Sequence, residues 1–225
     1  MTVAILQSNY IPWKGYFDII AKADIFVIYD EVQYTKNDWR NRNKILTPHG
    51  TNWLTIPVRL DSLNQKICET KVASSNWNKK HYTSLQLNYS KANGFIEFKE
   101  VLIDLYTDPS ESLTEINTRF IKSICQHLDI NTKIVDSRDL NLIGDRNERL
   151  IDACEKLSAE VYLSGPAARN YLNTQLFEQS KIKIEWMDYS NYREYPQLYG
   201  SFNHNVTIFD LILNLGKESR KFMLY

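Results

Sequence analysis

The sequence predicts a mixed α/β protein built on a mostly parallel sheet with flanking helices, and three observations carry that prediction. The first is a pair of near-continuous apolar runs, Val3 to Leu6 and Ile25 to Tyr29, of the kind found in strands covered on both faces. The second is the stretch between them, where Phe17, Ile19, Ile20 and Ala23 recur at helical spacing. The third is that the alternation of strand and helix resumes late in the chain, as layered α/β architectures require.

Asn9 to Gly15 breaks the first run, a helix begins at Tyr16, and Ala21 to Asp24 closes it before the second run. A right-handed crossover leaves the loops after both strands at the carboxyl edge of the sheet, where open α/β sheets bind ligands. Gln7 to Gly15 and Asp30 to Asn43 are therefore expected to face each other. Trp53 to Val58 alternates as a strand, and Pro57, which lacks a ladder donor, marks its end or an edge. Residues 76 to 106 read as helices carrying Leu85, Leu87 and Tyr89, then Phe95, Phe98, Val101, Leu102 and Leu105. Another helix runs from Ser112 to Leu128 and opens with the capping-box pattern Ser112-Leu113-Thr114-Glu115. A strand at Lys133 to Asp136, a helix at Asn147 to Leu157 and a strand at Val161 to Ser164 follow. The short strand 182–186 and a helix from Thr207 to Leu215, stopped by Gly216, complete the pattern. One domain is expected over residues 1–225, with residues 76–128 a helical subregion or a lid.

Lysine plus arginine balance aspartate plus glutamate at 27 each, so net charge gives no reason to expect nucleic acid or an anionic membrane as partner. The start Met-Thr-Val-Ala-Ile lacks a signal-peptide pattern, and no apolar run nears the ~20 residues that span a bilayer. A cytoplasmic protein without membrane insertion is the expectation. Cys68, Cys125 and Cys154 are odd in number and widely spaced, which fits reduced thiols better than a disulfide frame. No histidine pair has metal-ligand spacing, so no metal site is expected.

Several stretches could carry chemistry. Gln7, Tyr10, Trp13 and Gly15 put an amide, a phenol and an indole beside a glycine at a strand-to-helix junction, where backbone N–H groups can meet a phosphate. The same Pro12-Trp13 pair could equally do no more than pack the helix onto the sheet. From Lys36 to Lys44, four cations in nine residues are interleaved with Asn41, Asn43 and Trp39. Arg40 and Arg42 suit bidentate contacts to phosphate or carboxylate, and Trp39 suits stacking on a base or sugar, although a solvated charged loop has the same composition. Asp30 ends the second strand, where a carboxylate either enters a site or caps a turn. His81 lies four residues beyond Trp77 on one helical face and is the candidate general base; packing is the plainer role for a lone histidine. Ser164 and Gly165 form a second candidate loop at the same sheet edge, and Tyr195 and Gln197 belong to an aromatic and amide-rich stretch able to close a pocket.

Gln7-x-x-Tyr10-x-Pro12-Trp13-x-Gly15-Tyr16-Phe17, Asp30-x-Val32-Gln33-Tyr34, Trp39-x-Asn41-Arg42-Asn43, Trp53 to Val58, Tyr195-x-Gln197, Asp210-Leu211 and Asn214-x-Gly216 together resemble the WbqC-like family, from one end of the chain to the other. The resemblance adds Gln33 to the candidate ligand contacts. Genes of that family lie among those for bacterial O-antigen and other surface polysaccharides. It thus implies an enzyme, a transferase, that modifies a nucleotide-linked sugar by acyl or aminoacyl transfer to an amino sugar, with His81 or Asp30 as base. The implied donor is acyl-CoA, a carrier-protein thioester or an ATP-activated acid, with an acyl carrier protein as the matching partner. A weaker, fold-level likeness links Trp13-Lys14-Gly15-Tyr16 to the His-x-Gly-His loop of the HIGH-motif nucleotidyltransferases and implies a Rossmann-like (HUP-like) core. Both histidines of that motif are absent here, which weighs against ATP-dependent carboxylate activation. A protein that binds a sugar nucleotide without turning it over is the third reading.

Overall fold

Residues 1–74, 76–107 and 109–225 are described by a computed structural model of the chain. Strand β1 (Thr2–Leu6), helix α1 (Lys14–Lys22) and strand β2 (Ile25–Ile28) form the expected opening unit. The long crossover that follows β2 holds two antiparallel ribbons, β3 (Arg42–Thr47) with β4 (Gly50–Thr55) and β5 (Val58–Arg59) with β6 (Lys71–Val72). It then adds three helices, α2 (Trp77–Tyr89), α3 (Phe95–Tyr106) and α4 (Leu113–His127), before strand β7 (Lys133–Asp136). Helix α5 (Arg146–Lys156), strand β8 (Val161–Ser164), helix α6 (Thr174–Gln179), strand β9 (Lys183–Trp186) and helix α7 (Ile208–Leu215) follow.

The five-stranded sheet is parallel throughout, in the order β7-β2-β1-β8-β9. The chain winds outward from β1 to β7 and then returns to the other side of β1, so the order reverses between β1 and β8. That is the doubly wound, Rossmann-like arrangement, and its reversal opens a crevice at the carboxyl ends of the strands. Alternate side chains divide the core. Ala4, Phe26, Ile28 and Leu163 join α1, α2, α3, α4 and α7 on one face, while Val3, Ile5, Val27 and Tyr162 meet α5 and α6 on the other. Double coverage is why these strands read as unbroken apolar runs.

Local differences from expectation have physical causes. Helix α1 begins at Lys14 rather than Tyr16, with Trp13 as its N-cap. Pro57 falls in the gap between β4 and β5, where no ladder donor is required. Leu87 is 76% exposed, because residues two apart on a helix cannot share the face that buries Leu85 and Tyr89. Ser112 caps α4 through the Glu115 N–H, but the Glu115 carboxylate accepts from the Ser110 hydroxyl; the reciprocal capping box forms at Asp145 and Glu148 of α5. Residues 76–128 lie inside the crossover and share one apolar cluster with α1 and α7; Asp108 of that stretch lies outside the described residues. Among the described residues, no helix is long and apolar enough to cross a membrane.

Candidate functional site

The loops after β1 and β2 meet at the carboxyl edge. Tyr10 N–H donates to the Trp39 carbonyl at 3.0 Å. Asp30, 1% exposed, takes the Ser8 N–H at 2.8 Å on one oxygen and the hydroxyls of Ser8 and Thr114 at 2.6 and 2.7 Å on the other. Burial raises the Asp30 pKa, while those hydrogen bonds and Arg40 draw it back. Asn117 of α4 extends the link, donating to Ser8 Oγ at 3.1 Å and to the Arg40 carbonyl at 2.8 Å. Asp30 thereby ties the ends of β1 and β2 to α4, and its oxygens face protein donors.

Beyond this anchor the chain kinks. Ile11 has φ 37°, rare for a β-branched residue and against the extended preference of a residue before proline. Asn43 holds the kink, donating to the carbonyls of Ile11 at 2.8 Å and Tyr10 at 3.3 Å, while Pro12 accepts from Ile208 N–H at 2.8 Å. Sparsely populated backbone of this kind persists only where surrounding contacts over-determine it. It brings Pro12 and Trp13 to one wall of a cleft of about 240 Å3, with Trp39 and the amides of Asn9, Asn43 and Asn205 on the others. Arg40 lies beside it and donates to the side-chain oxygens of Asn9 and, at 3.3 Å, of Gln7. With their oxygens engaged, both amides retain NH2 groups for a ligand.

Gly15 serves its own neighbour. An added Cβ would overlap the Trp13 indole, which lies over the first turn of α1 and packs edge-on against Tyr189 and Tyr192 at 5.0 and 5.7 Å. The space in which a phosphate would approach that glycine is filled by a side chain.

The other candidate residues are distributed more widely. His81 is 6% exposed in a chain of rings, its Nδ1 2.8 Å from the Tyr10 hydroxyl, which is 2.7 Å from that of Tyr106. Burial lowers its pKa to about 4, only partly offset by a backbone hydrogen bond with Thr55, so the imidazole is neutral near pH 7. Tyr195 and Gln197 both donate to Asp210 Oδ1, at 2.8 and 2.7 Å, and Tyr89 donates to Oδ2 at 2.8 Å. Asn41 is buried and donates to the Ile56 carbonyl at 2.8 Å. Gln33 donates to the Leu63 carbonyl at 2.6 Å in a separate groove. Ser164 ends β8 and Gly165 follows it; neither lines the cleft, although a Cβ at Gly165 would meet open space. Arg42 stacks over Trp53 on the outer face of the β3–β4 ribbon. The cleft thus gathers Trp13, Trp39 and Asn43, with Gln7 and Arg40 just behind. Sequence reasoning missed Asn9, a single amide inside a stretch noticed for its rings, and Asn205, which lies just beyond the aromatic stretch that carries Tyr195 and Gln197. It also missed Lys14, a 3% exposed amine over the Tyr192 ring. Among the described residues no cluster of three or more His, Cys, Asp or Glu side chains is placed to hold a metal ion.

Fold and site together define a doubly wound α/β protein with a small cleft of indoles and amides at its ligand edge. The chain belongs to the WbqC-like protein family, whose sequence pattern matches residues 7–222. A protein of Mycobacterium tuberculosis (strain ATCC 25618 / H37Rv), named "Uncharacterized protein Rv1507c", is 44% identical over 225 residues, spanning 99% of this chain and 97% of its own. No solved structure matches the chain.

Proposed function

We propose that this protein is a cytoplasmic enzyme of O-antigen or other surface-polysaccharide synthesis that holds a nucleotide-linked amino sugar for acyl or aminoacyl transfer. The observation that carries this reading is the cleft itself, which Trp13 and Trp39 line together with Asn9 and Asn205, while the Asn43 amide is engaged by the chain's own backbone. A sugar ring has apolar C–H faces and hydroxyl edges, so aromatic planes bordered by amides match it in both respects. In acyl transfer the sugar ammonium gives one proton to solvent, the free amine attacks the carbonyl of acyl-CoA or a carrier-protein thioester, the C–N bond forms as the C–S bond breaks, and the second amine proton goes to the departing thiolate. The chain's own part is orientation. Asp30 and His81 act as positioning residues, Asp30 by fixing Ser8 and His81 by fixing Tyr10, on either side of Asn9.

Binding without turnover is the second reading, favoured because no residue lining the cleft titrates near neutrality. ATP-dependent activation of a carboxylic acid fits less well, since Trp13 occupies the space over Gly15. The deciding experiment incubates the protein with nucleotide-linked amino sugars and acyl-CoA, acyl carrier protein thioester, or ATP plus a carboxylic acid, and weighs the products. An acylated sugar nucleotide supports the transferase, a bound but unchanged sugar nucleotide supports the binding protein, and pyrophosphate release supports the nucleotidyltransferase.

A further inference from the structure

The outer face of the β3–β4 ribbon gathers two cations around an exposed indole. Its register pairs Lys44 with Trp53 and Arg42 with Thr55, placing both cations and the indole on the side away from Asn43 and Leu54, which are buried. Trp53 is 39% exposed, with the Arg42 guanidinium 4.2 Å and the Lys44 ammonium 4.8 Å from its ring centroid. Trp39, 44% exposed, lies 5.6 Å from Trp53 between centroids, with the rings 38° apart. Among the described residues neither Arg42 nor Lys44 forms an ion pair. Arg42 gives one N–H to the Asn37 carbonyl, and its Nε, which is buried, has no hydrogen-bond partner.

Two unpaired cations on an exposed indole pair are complementary to a planar, anionic molecule: aromatic faces accept a base, and the guanidinium and ammonium accept phosphate. The surface is continuous with the cleft, because Trp39 belongs to both. We propose that the Trp39–Trp53 platform with Arg42 and Lys44 binds the nucleoside diphosphate part of the ligand. The inference rests on the sugar-nucleotide reading of the cleft and deepens it by assigning the sugar to the cleft and the base and diphosphate to the ribbon. A diphosphate fits better than a nucleic acid strand, since the site offers two cations and the whole chain carries no net charge.

The test is equilibrium binding of three probes: a panel of uridine, thymidine, guanosine and adenosine diphosphates; a hexosamine 1-phosphate; and single-stranded oligonucleotides of increasing length. The proteins are the full chain and its Trp53→Ala, Trp53→Phe and Lys44→Gln variants, each with its melting temperature. We expect one nucleoside diphosphate to bind about tenfold more weakly to Trp53→Ala and to Lys44→Gln, with recovery in Trp53→Phe and melting temperatures unchanged. The hexosamine phosphate should bind all four proteins alike. Nucleoside diphosphate binding that depends on Trp53 while the hexosamine phosphate binds nowhere would uphold the platform and remove the sugar reading of the cleft. Equal nucleoside diphosphate affinity in the parent and Trp53→Ala, absence of binding to the parent, or affinity that climbs with oligonucleotide length would overturn the proposal.

Discussion

Lys14 opens helix α1 with its side chain 3% exposed, its amine 3.4 Å from the carbonyls of Arg193 and Phe222 and 4.2 Å from the centre of the Tyr192 ring. Burial lowers its pKa to about 8, and Asp18 only partly restores it. A buried charge with such long contacts adds little stability, so Lys14→Met should leave stability at pH 7 unchanged or raise it by up to about 2 kcal/mol. The sign follows from proton counts. From about 8 to the ordinary lysine value of 10.5 the unfolded chain binds more protons, so stability rises with pH across that window, and the variant should lose that rise in urea titrations. His81 gives an acid counterpart. Its folded value of about 4 lies below the ordinary 6.5, so its contribution is full above 6.5 and is lost as pH falls toward 4. The limiting slope is roughly 1.4 kcal/mol per pH unit. Asp18, Asp30 and Asp210, raised chiefly by burial, act in the opposite sense in acid, so the comparison must be with His81→Gln, whose stability should rise less, or fall more, with pH between those values. Superimposable profiles would show that the imidazole does not carry the effect.

At the scale of elements, α3 and α7 approach closely through two glycines. Gly94 leads into α3 and Gly216 ends α7 with φ 55°; a Cβ on Gly94 would overlap the Gly216 backbone nitrogen and the Ile212 carbonyl. Backbone cannot move aside as a flexible side chain can, so Gly94→Ala should cost about 3 kcal/mol or more, read as a lowered urea midpoint. A loss below 1 kcal/mol would mean that α3 and α7 part easily. The elements most legible in the sequence were those buried on both faces or along one helical stripe, such as β1, β2 and α4, where apolar spacing maps directly onto burial. Strand β3 was not legible. Its inward positions are Asn43, which binds the kinked Tyr10–Ile11 backbone, and Ile45, which is buried in the core, so only one of them is apolar and the strand's first half read as a charged segment. Gly15 was noticed for the right reason, close approach, but the approaching group is Trp13.

Across the whole molecule, the convergence of the β1 and β2 loops could be deduced because right-handed crossovers leave no other placement. The closing role expected for Tyr195 and Gln197 could not be resolved in the same way. Phenols and amides that would suit sugar hydroxyls suit a buried carboxylate equally, and Asp210 takes both. The large rings after β1 divide similarly: Tyr10 and Tyr16 are buried in the core, while Trp13 is a wall of the cleft. The most direct measurement is a calorimetric titration of a nucleotide-linked amino sugar into the parent protein and Trp39→Ala, whose replaced side chain is 44% exposed and lines the cleft. Saturable binding that weakens about tenfold in the variant, with an unchanged melting temperature, is the predicted result. Equal affinity in the two proteins, or no binding to either across the nucleotide-linked amino sugars, would contradict a sugar-nucleotide site at this edge of the sheet.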